Sequence, residues 1–459
     1  AGAPSAPPPP HRGGPSPGVP PGRAGRGTAP THRNHDESSN VSRPDSTAST
    51  RVVVTGIGAL TPVGNDRESS WQALLAGRSG IAEISRFDAR DFPTRIAAEV
   101  KNFAAEDHFD RKRLRRSERF SQYAVVAARE AVHDAGLAVD GDPDARIGVQ
   151  INNAVAGFPG IEAATDQRHD DPRKVSPYFV SSVIPNMPAC EVAIDLGAHG
   201  PVNASALACA SGIHALLEAR RTILAGDADV VVAGGTDAAI TPVMFTGLSN
   251  MGALSTRNDA PERASRPFDA ERDGFVFGEG AVVLVVESAE HAAARGARPY
   301  MEIRGGALTS DAFHVSAPHP SGEHAETAMR RALAAAHTGP DEVDYVCAHG
   351  TATRINDRLE SRALRSVFGE AADRLLVSSP KSMVGHMIGA AGALSAMVTA
   401  LAMRDGAVPP TVNLDTPDPE CDLDYVPHTA RKADVTTALV NAFGFGGQNV
   451  VAVLGAPRD

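Results

Sequence analysis

The sequence predicts an α/β protein made of two similar halves. Three observations lead there: β-branched runs alternate with amphipathic helical segments and glycine turns, the succession occurs twice, and reactive side chains stand at comparable corners of both passes. With 459 residues, 42% of them hydrophobic and 22% charged, the chain is long enough for a large core or two fused half-domains.

Residues 1–50 carry eleven of the 34 prolines and almost no large apolar residue. They cannot bury enough surface to offset the entropy of ordering, so a disordered Pro/Gly-rich leader is expected there. From Arg51 the texture changes. A first half, 51–304, shows strand patterns at 51–56 (RVVVTG), 146–151 (RIGVQI), 202–208 (VNASALA), 229–235 (DVVVAGG) and 281–287 (AVVLVVE). A second half, 305–459, shows them at 344–350 (DYVCAHG), 375–380 (LLVSSP), 436–443 (TTALVNAF) and 449–455 (NVVAVLG). The basic run RKRLRR (111–116) is read as opening a helix whose apolar face is Phe120, Tyr123, Ala124 and Ala127.

In the first half a strand is expected to end at Cys209, followed by a helix from Ser211 to Ala225 with Ile213, Leu216, Leu217, Ile223 and Leu224 at helical spacing. In the second half a strand is expected to end at His349, and another leads through Lys381 to His386 and the helical run IGAAGALSAMVTALAMRDG. Reactive residues thus fall at carboxyl ends of strands, where open α/β sheets place their ligands.

Composition narrows the function. A net charge of −11 argues against a general nucleic-acid binder. The four cysteines (Cys190, Cys209, Cys347, Cys421) are scattered with no CxxC pair, so neither a zinc site nor a disulfide framework is expected, and a reducing cytoplasm fits. No apolar run reaches the length of a membrane span, and the charged-then-apolar order of a secretory signal is absent from the N-terminus. A dinucleotide site at TGIGAL fails because Thr61 stands where the third glycine belongs.

Cysteine, histidine pair and glycine loop point instead to acyl transfer. A cysteine at a helix N-terminus meets unpaired N–H groups and the helix dipole, which favour thiolate, so a pKa below the ordinary value of about 8.5 is expected for Cys209. The loop NAFGFGGQN (441–449) can approach closely and offer N–H groups to an oxyanion. Together these are the parts of a nucleophilic acyl-transfer site.

Nine motifs in register then carry a resemblance: VVVTGIGALTPVGN, NMPACEVAIDLGAHGP, ACASG, GALSTRND, SRPFDAERDGFVFGEGA, AHGTAT, PKSMVGHMIGAAG, PDPECDLDYVP and NAFGFGGQN. From about Arg51 onward the chain resembles the elongating β-ketoacyl-acyl-carrier-protein synthases of the thiolase-like superfamily. The resemblance implies two duplicated α/β halves stacked as a five-layer αβαβα sandwich. It implies that Cys209 takes the acyl chain as a thioester, that His349 and His386 support malonyl decarboxylation and hold the enolate, and that Lys381 acts electrostatically beside them. The backbone N–H groups of Cys209 and Phe445 would form the oxyanion hole, with the Phe445 ring as a gate. Thr351 and Thr353 would contact the phosphopantetheine arm of the carrier, Glu360 would be a structural acid, and Val155 would lie at the far end of the acyl pocket. Lys112, Arg115 and Arg116 match residues that dock acyl carrier protein. No bound cofactor or metal is implied, since the substrates arrive on phosphopantetheine.

Three readings remain at this level, and the polyketide one leads. The stretches NDRLES, VSSPKSMVGH and PPTVNLDTPDPECDLDYVP resemble catalytic subunits of type II polyketide systems that make reduced or polyene chains, which implies a heterodimer with a chain-length-factor subunit. NAFGFGGQN is closer to fatty-acid elongation enzymes, which implies a homodimer. A non-catalytic chain-length subunit is disfavoured because such subunits lack the cysteine that Cys209 supplies.

Overall fold

In the computed structural model, which describes residues 50–139 and 146–458, the two passes of the sequence fold into two sets of five strands. The expected leader at 1–49 lies outside the described residues. The first set is β1 (Val52–Leu60), β2 (Ile147–Asn152), β3 (Val202–Asn203), β4 (Val230–Asp237) and β5 (Gly280–Ser288). The second is β6 (Met301–Ser310), β7 (Tyr345–Cys347), β8 (Leu376–Ser378), β9 (Thr437–Gly444) and β10 (Gln448–Gly455).

Both sets have one topology. The orders are β3-β2-β4-β5-β1 and β8-β7-β9-β10-β6. Pairing is parallel for β3-β2 and β2-β4 and antiparallel for β4-β5 and β5-β1, and the second set repeats this step by step. Each strand therefore has a twin five strands later. The sets join where Val53 and Val54 of β1 pair with Glu302 and Met301 of β6, so one ten-stranded sheet runs through the molecule.

The main helices repeat as well: α1 (Arg119–Asp134), α2 (Met187–Leu196) and α3 (Ser211–Leu224) have twins in α4 (Glu323–Ala335), α5 (Arg354–Phe368) and α6 (Ala391–Asp405). One apolar cluster joins α1 and α2 to the outer face of the first strands, and another joins α4 and α5 to that of the second. Between the strand sets lies the largest cluster, built around α3 and α6. These are the five layers. The alternation within β4 shows the logic, with Val230 and Val232 facing α1 while Val231 and Ala233 face the central layer. α6 is buried without a break from Ala391 to Ala402, as its nearly continuous apolar sequence requires.

α3 and α6 cross almost backbone to backbone. A Cβ on Gly212 would lie 2.5 Å from the nitrogen of Ala393, and one on Gly392 would lie 2.5 Å from the nitrogen of Ile213. The contact is reciprocal because the two glycines are twins, each the second residue of its helix.

Four expectations are corrected. β6 carries no strand signal because Glu302, Arg304, Gly305 and Gly306 break its apolar run; its two glycines sit where Cβ atoms would strike the end of α4 and Leu217 of α3. VNASALA is strand only at Val202 and Asn203 and ends in a 3₁₀ turn at Ala208, because Asn152 Oδ1 accepts the Ser205 N–H and draws the chain off the edge of β2. The division at 304/305 falls inside β6, and we place the start of the repeat at Met301. RKRLRR does not open α1: Arg111–Leu114 is a separate single turn capped by Asp110, and α1 starts after Glu118, with Phe120, Tyr123, Ala124 and Ala127 buried as expected.

Gly392→Val should force α3 and α6 apart, at a cost of about 1–3 kcal/mol for overpacking. Thermal denaturation should show a melting temperature lower by several degrees, whereas an exposed control such as Gly247→Ala, where a Cβ meets nothing within 4 Å, should not.

Candidate active site

α3 and α6 are each preceded by one 3₁₀ turn, Ala208–Ala210 and Ile388–Ala390. The first residue of each turn has a left-handed backbone, φ +46° for Ala208 and +49° for Ile388, a conformation that costs an L-residue free energy and persists only where its surroundings enforce it. Cys209 sits inside the first turn rather than at a strand end, and only 8% of it is exposed. Its thiol is faced by its own backbone N–H and by that of Phe445. Phe445 can reach it because Gly444, the last residue of β9, lets the loop close in: a Cβ at Gly444 would lie 2.7 Å from Leu207 O and 3.4 Å from Cys209 N.

The expected low thiol pKa is corrected. Burial pushes the Cys209 thiol up to about 11, and Lys381 and the two N–H groups only partly oppose it. The cysteine lies before the helix rather than in its first turn, and loss of water outweighs the dipole.

Lys381 links the other members. Its Nζ donates to the backbone carbonyl of His349 at 2.6 Å, and its charge acts on Cys209, His349 and His386. The two imidazoles stand edge to face, 5.5 Å between centroids. Burial, with Lys381 adding to it, holds both well below the ordinary histidine value, so both are neutral at physiological pH. Nδ1 of His386 accepts the Ile388 N–H at 3.3 Å, which puts the proton of the neutral ring on Nε2. That Nε2 is buried without a hydrogen-bond partner, a donor left open.

Glu360 clamps His349 from the other side. Its carboxylate accepts the N–H groups of His349 and Gly350, both at 2.8 Å, and the side chain of Asn441 at 3.0 Å. Thr351 and Thr353 follow, their hydroxyls 3.0 Å apart, with Ala352 between them in a left-handed conformation. This segment hangs from Arg272, which is fully buried and donates to the carbonyls of Thr353 and Arg354 at 3.1 Å while pairing with Asp357 and Asp418. Beside Thr353 a cavity of about 660 Å³ opens between Phe313–Pro320 and the Arg354–Leu359 face of α5.

A sequence model described as "Beta-ketoacyl synthase, N-terminal domain" matches residues 49–292, and its C-terminal counterpart matches residues 300–415. The chain belongs to the β-ketoacyl synthase family. It is 49% identical over 404 residues to a 3-oxoacyl-[acyl-carrier-protein] synthase 2 from Staphylococcus aureus strain N315, covering 88% of this chain and 97% of that protein. To the synthase of the same name from Coxiella burnetii it is 47% identical over 410 residues, covering 89% and 99%. Among solved structures, the ishigamide ketosynthase/chain length factor superposes with TM-score 0.84 at 35% identity, covering 90% of this chain and all of that one. The ketosynthase–acyl carrier protein complex AntDE:AntF of a type II PKS gives 0.82 at 34%, covering 89% and 100%. The protein is thus a thiolase-fold acyltransferase of fatty-acid or polyketide biosynthesis with β-ketoacyl-ACP synthase activity.

The remaining sequence-derived positions of this synthase lie outside the cysteine–histidine cluster. Val155 is half-buried in an apolar cluster with Ile388, Phe277 and Ala239, and its N–H donates to Asp237 at 3.2 Å. Lys112, Arg115 and Arg116 are exposed, whereas Arg113 turns inward to pair with Asp195 and Glu191. Arg116 lies 4.5 Å over the ring of Tyr178 and donates to its hydroxyl at 3.0 Å. Phe445 is 40% exposed, the most open member of the cluster. Sequence reasoning assigned no role to Arg272, Asp357, Asp418 or Asp237; the first three lie in or next to quoted motifs, so the motifs were found but not the contact that joins them.

Because both imidazoles are held well below 6.5, neither titrates near neutrality. Followed by NMR, neither imidazole should titrate between about pH 6.5 and 8, protonation appearing only at lower pH. A ring midpoint near the ordinary value of about 6.5 would contradict this arrangement.

Proposed function

We propose that the protein condenses an acyl group held on Cys209 with malonyl-acyl carrier protein. What carries this reading is the convergence of two backbone N–H groups and the charge of Lys381 on one buried thiol, with Lys381 also acting on the paired neutral imidazoles of His349 and His386. In the first half-reaction Cys209 Sγ attacks the carbonyl carbon of the incoming thioester and the carrier leaves as its thiol. The transient oxyanion is held by the N–H groups of Cys209 and Phe445. The thiol is protonated at rest, so its proton passes to the departing carrier sulfur as the acyl group moves.

In the second half-reaction the malonyl carboxylate is lost as CO₂ and the bonding pair moves into the thioester as an enolate. Its oxygen accepts from the neutral His349 and His386. The enolate carbon then forms the new carbon–carbon bond to the acyl carbonyl, and the acyl C–S bond to Cys209 breaks, leaving a thiolate that takes a proton from water to regain the resting thiol. Lys381 supplies positive charge and holds the His349 carbonyl, Glu360 holds its N–H, Thr351 and Thr353 line the approach of the phosphopantetheine arm, and Val155 forms part of the acyl-pocket wall. No metal or bound cofactor enters these steps.

The identities support a different pathway from the one that leads in the sequence: 49% to the 3-oxoacyl synthase, against 34–35% to the polyketide ketosynthases, favours elongation of fatty-acyl chains by two identical subunits. The second reading, a type II polyketide pathway with a chain-length-factor partner, rests on NDRLES and PDPECDLDYVP. Either partner fits the same surface. β3 is a sheet edge with Val202 exposed, and Ile194 of the adjoining α2 is 76% exposed, an apolar edge that a second subunit would cover. The four unpaired cysteines agree with a reducing cytoplasm.

Cys209→Ala should abolish the covalent acyl adduct seen by intact-mass analysis while leaving carrier binding unchanged. Condensation at near wild-type rate in that variant would remove Cys209 from the mechanism. Lys112, Arg115 and Arg116 are read as the docking site for acidic acyl carrier protein; each exposed pair is worth about 0–1 kcal/mol, so only the cluster counts. Arg115→Glu combined with Arg116→Glu should raise KM for the carrier-bound substrate several-fold and weaken its salt dependence, with turnover of a carrier-free acyl thioester preserved. Equal losses on both substrates would mean that the patch supports the fold.

A further inference from the structure

The duplication produces two equivalent corners, and only one holds a cysteine. Counting along the twin elements, Cys209 in the turn Ala208–Ala210 corresponds to Gly389 in the turn Ile388–Ala390. Gly444, the last residue of β9, corresponds to Asp237, the last residue of β4. The corners face crosswise. Gly444 of the second half lies against Cys209, and Asp237 of the first half lies against Gly389.

At the second corner a carboxylate fills the space that a side chain on residue 389 would need. A Cβ on Gly389 would lie 2.5 Å from Asp237 Oδ2 and 2.8 Å from Ala154 N. Oδ2 accepts the N–H of Gly389 at 2.7 Å and of Ala154 at 3.0 Å, and Oδ1 accepts the N–H of Val155 at 3.2 Å. The Gly389 N–H is the twin of the Cys209 N–H that faces the thiol. Asp237 is fully buried and makes no ion pair among the described residues. Burial pushes its carboxyl up to about 7, and the three N–H donors oppose that shift.

Two functional segments meet on this one group. Gly389 lies three residues after His386, in the turn whose Ile388 N–H fixes the His386 tautomer. Val155 is the residue read above as acyl-pocket wall, and its neighbour Ala154 packs against the same apolar cluster. We propose that Asp237 is a positioning residue, a built-in anion in the degenerate twin of the nucleophile corner that fixes the His386 turn against the pocket wall.

The inference rests on the assignment of acyl transfer to Cys209 and of decarboxylation to the histidines, and its test separates the two. Asp237→Asn keeps shape and volume but sets an NH₂ group against a backbone N–H. Self-acylation would be followed by intact mass with an acyl-carrier donor, and decarboxylation by loss of malonyl-carrier. In Asp237→Asn, decarboxylation kcat should fall about tenfold with KM for the malonyl carrier within twofold, while self-acylation stays within twofold. Gly389→Ala, which displaces the carboxylate without removing it, should give the same split. Equal loss in both half-reactions, no loss in either, or an Asp237→Asn protein that fails to fold would each overturn the positioning role. A wild-type protein that forms no adduct or does not decarboxylate would instead overturn the proposed function, whatever the variants do.

Discussion

The reciprocal crossing of α3 and α6 at Gly212 and Gly392 is the constraint on which the site depends. Two helices whose backbones touch cannot slide without opening a void in a close-packed layer. The 3₁₀ turns that lead into them, Ala208–Ala210 with Cys209 and Ile388–Ala390, are therefore fixed relative to each other, although they belong to different halves of the chain. The left-handed residues Ala208 and Ile388 sit at the entries to these turns, strain that the central layer can enforce because it is so fully buried.

Burial has a second effect, on charge. Cys209, His349, His386, Lys381 and Glu360 are all removed from water, and each is moved toward its neutral form. A protonated thiol beside neutral imidazoles suits a reaction that must hold a developing oxyanion, since donors in a dry site act more strongly than in water. Such a set would be costly if its polar atoms lacked partners. Lys381 meets a carbonyl and Glu360 meets three N–H donors, so the opposing charges are tied to backbone rather than to each other, and Nε2 of His386 is left open.

Duplication supplied two corners, and divergence gave them different jobs. The crosswise exchange of Cys209 with Gly444 for Gly389 with Asp237 sets a thiol in one corner and closes the other with a resident carboxylate. Arg272 does comparable work farther out, drawing the threonine segment, α5 and the Asp418 loop together around one guanidinium. Buried and joined to two carboxylates and to backbone carbonyls, it explains why sequence motifs nearly 150 residues apart occur together.

How much was legible in the sequence depended on whether the signal was local. Nine of the ten strands stood out as β-branched or apolar runs; β6 did not, because its glycines and charges answer to α3 and α4 packed across it. Cys209, the histidines, Lys381 and the glycine loop could be picked out as candidates because acyl transfer demands those residue types and the motifs around them are specific. Their charge states could not be named. The turn before α3 suggested a lowered thiol pKa, and only the tertiary structure decided that desolvation wins, since burial at Cys209 depends on walls contributed by Phe445, Lys381 and the central helices. The same holds for the split of the basic run into an inward Arg113 and an outward Arg115 and Arg116, and for Asp237, an ordinary residue at a strand end. A sequence by itself determines which groups are available and which segments can be helix or strand. Which groups meet, and in how much water, is set by contacts between residues far apart in the chain, and those exist only once the two halves have closed on each other.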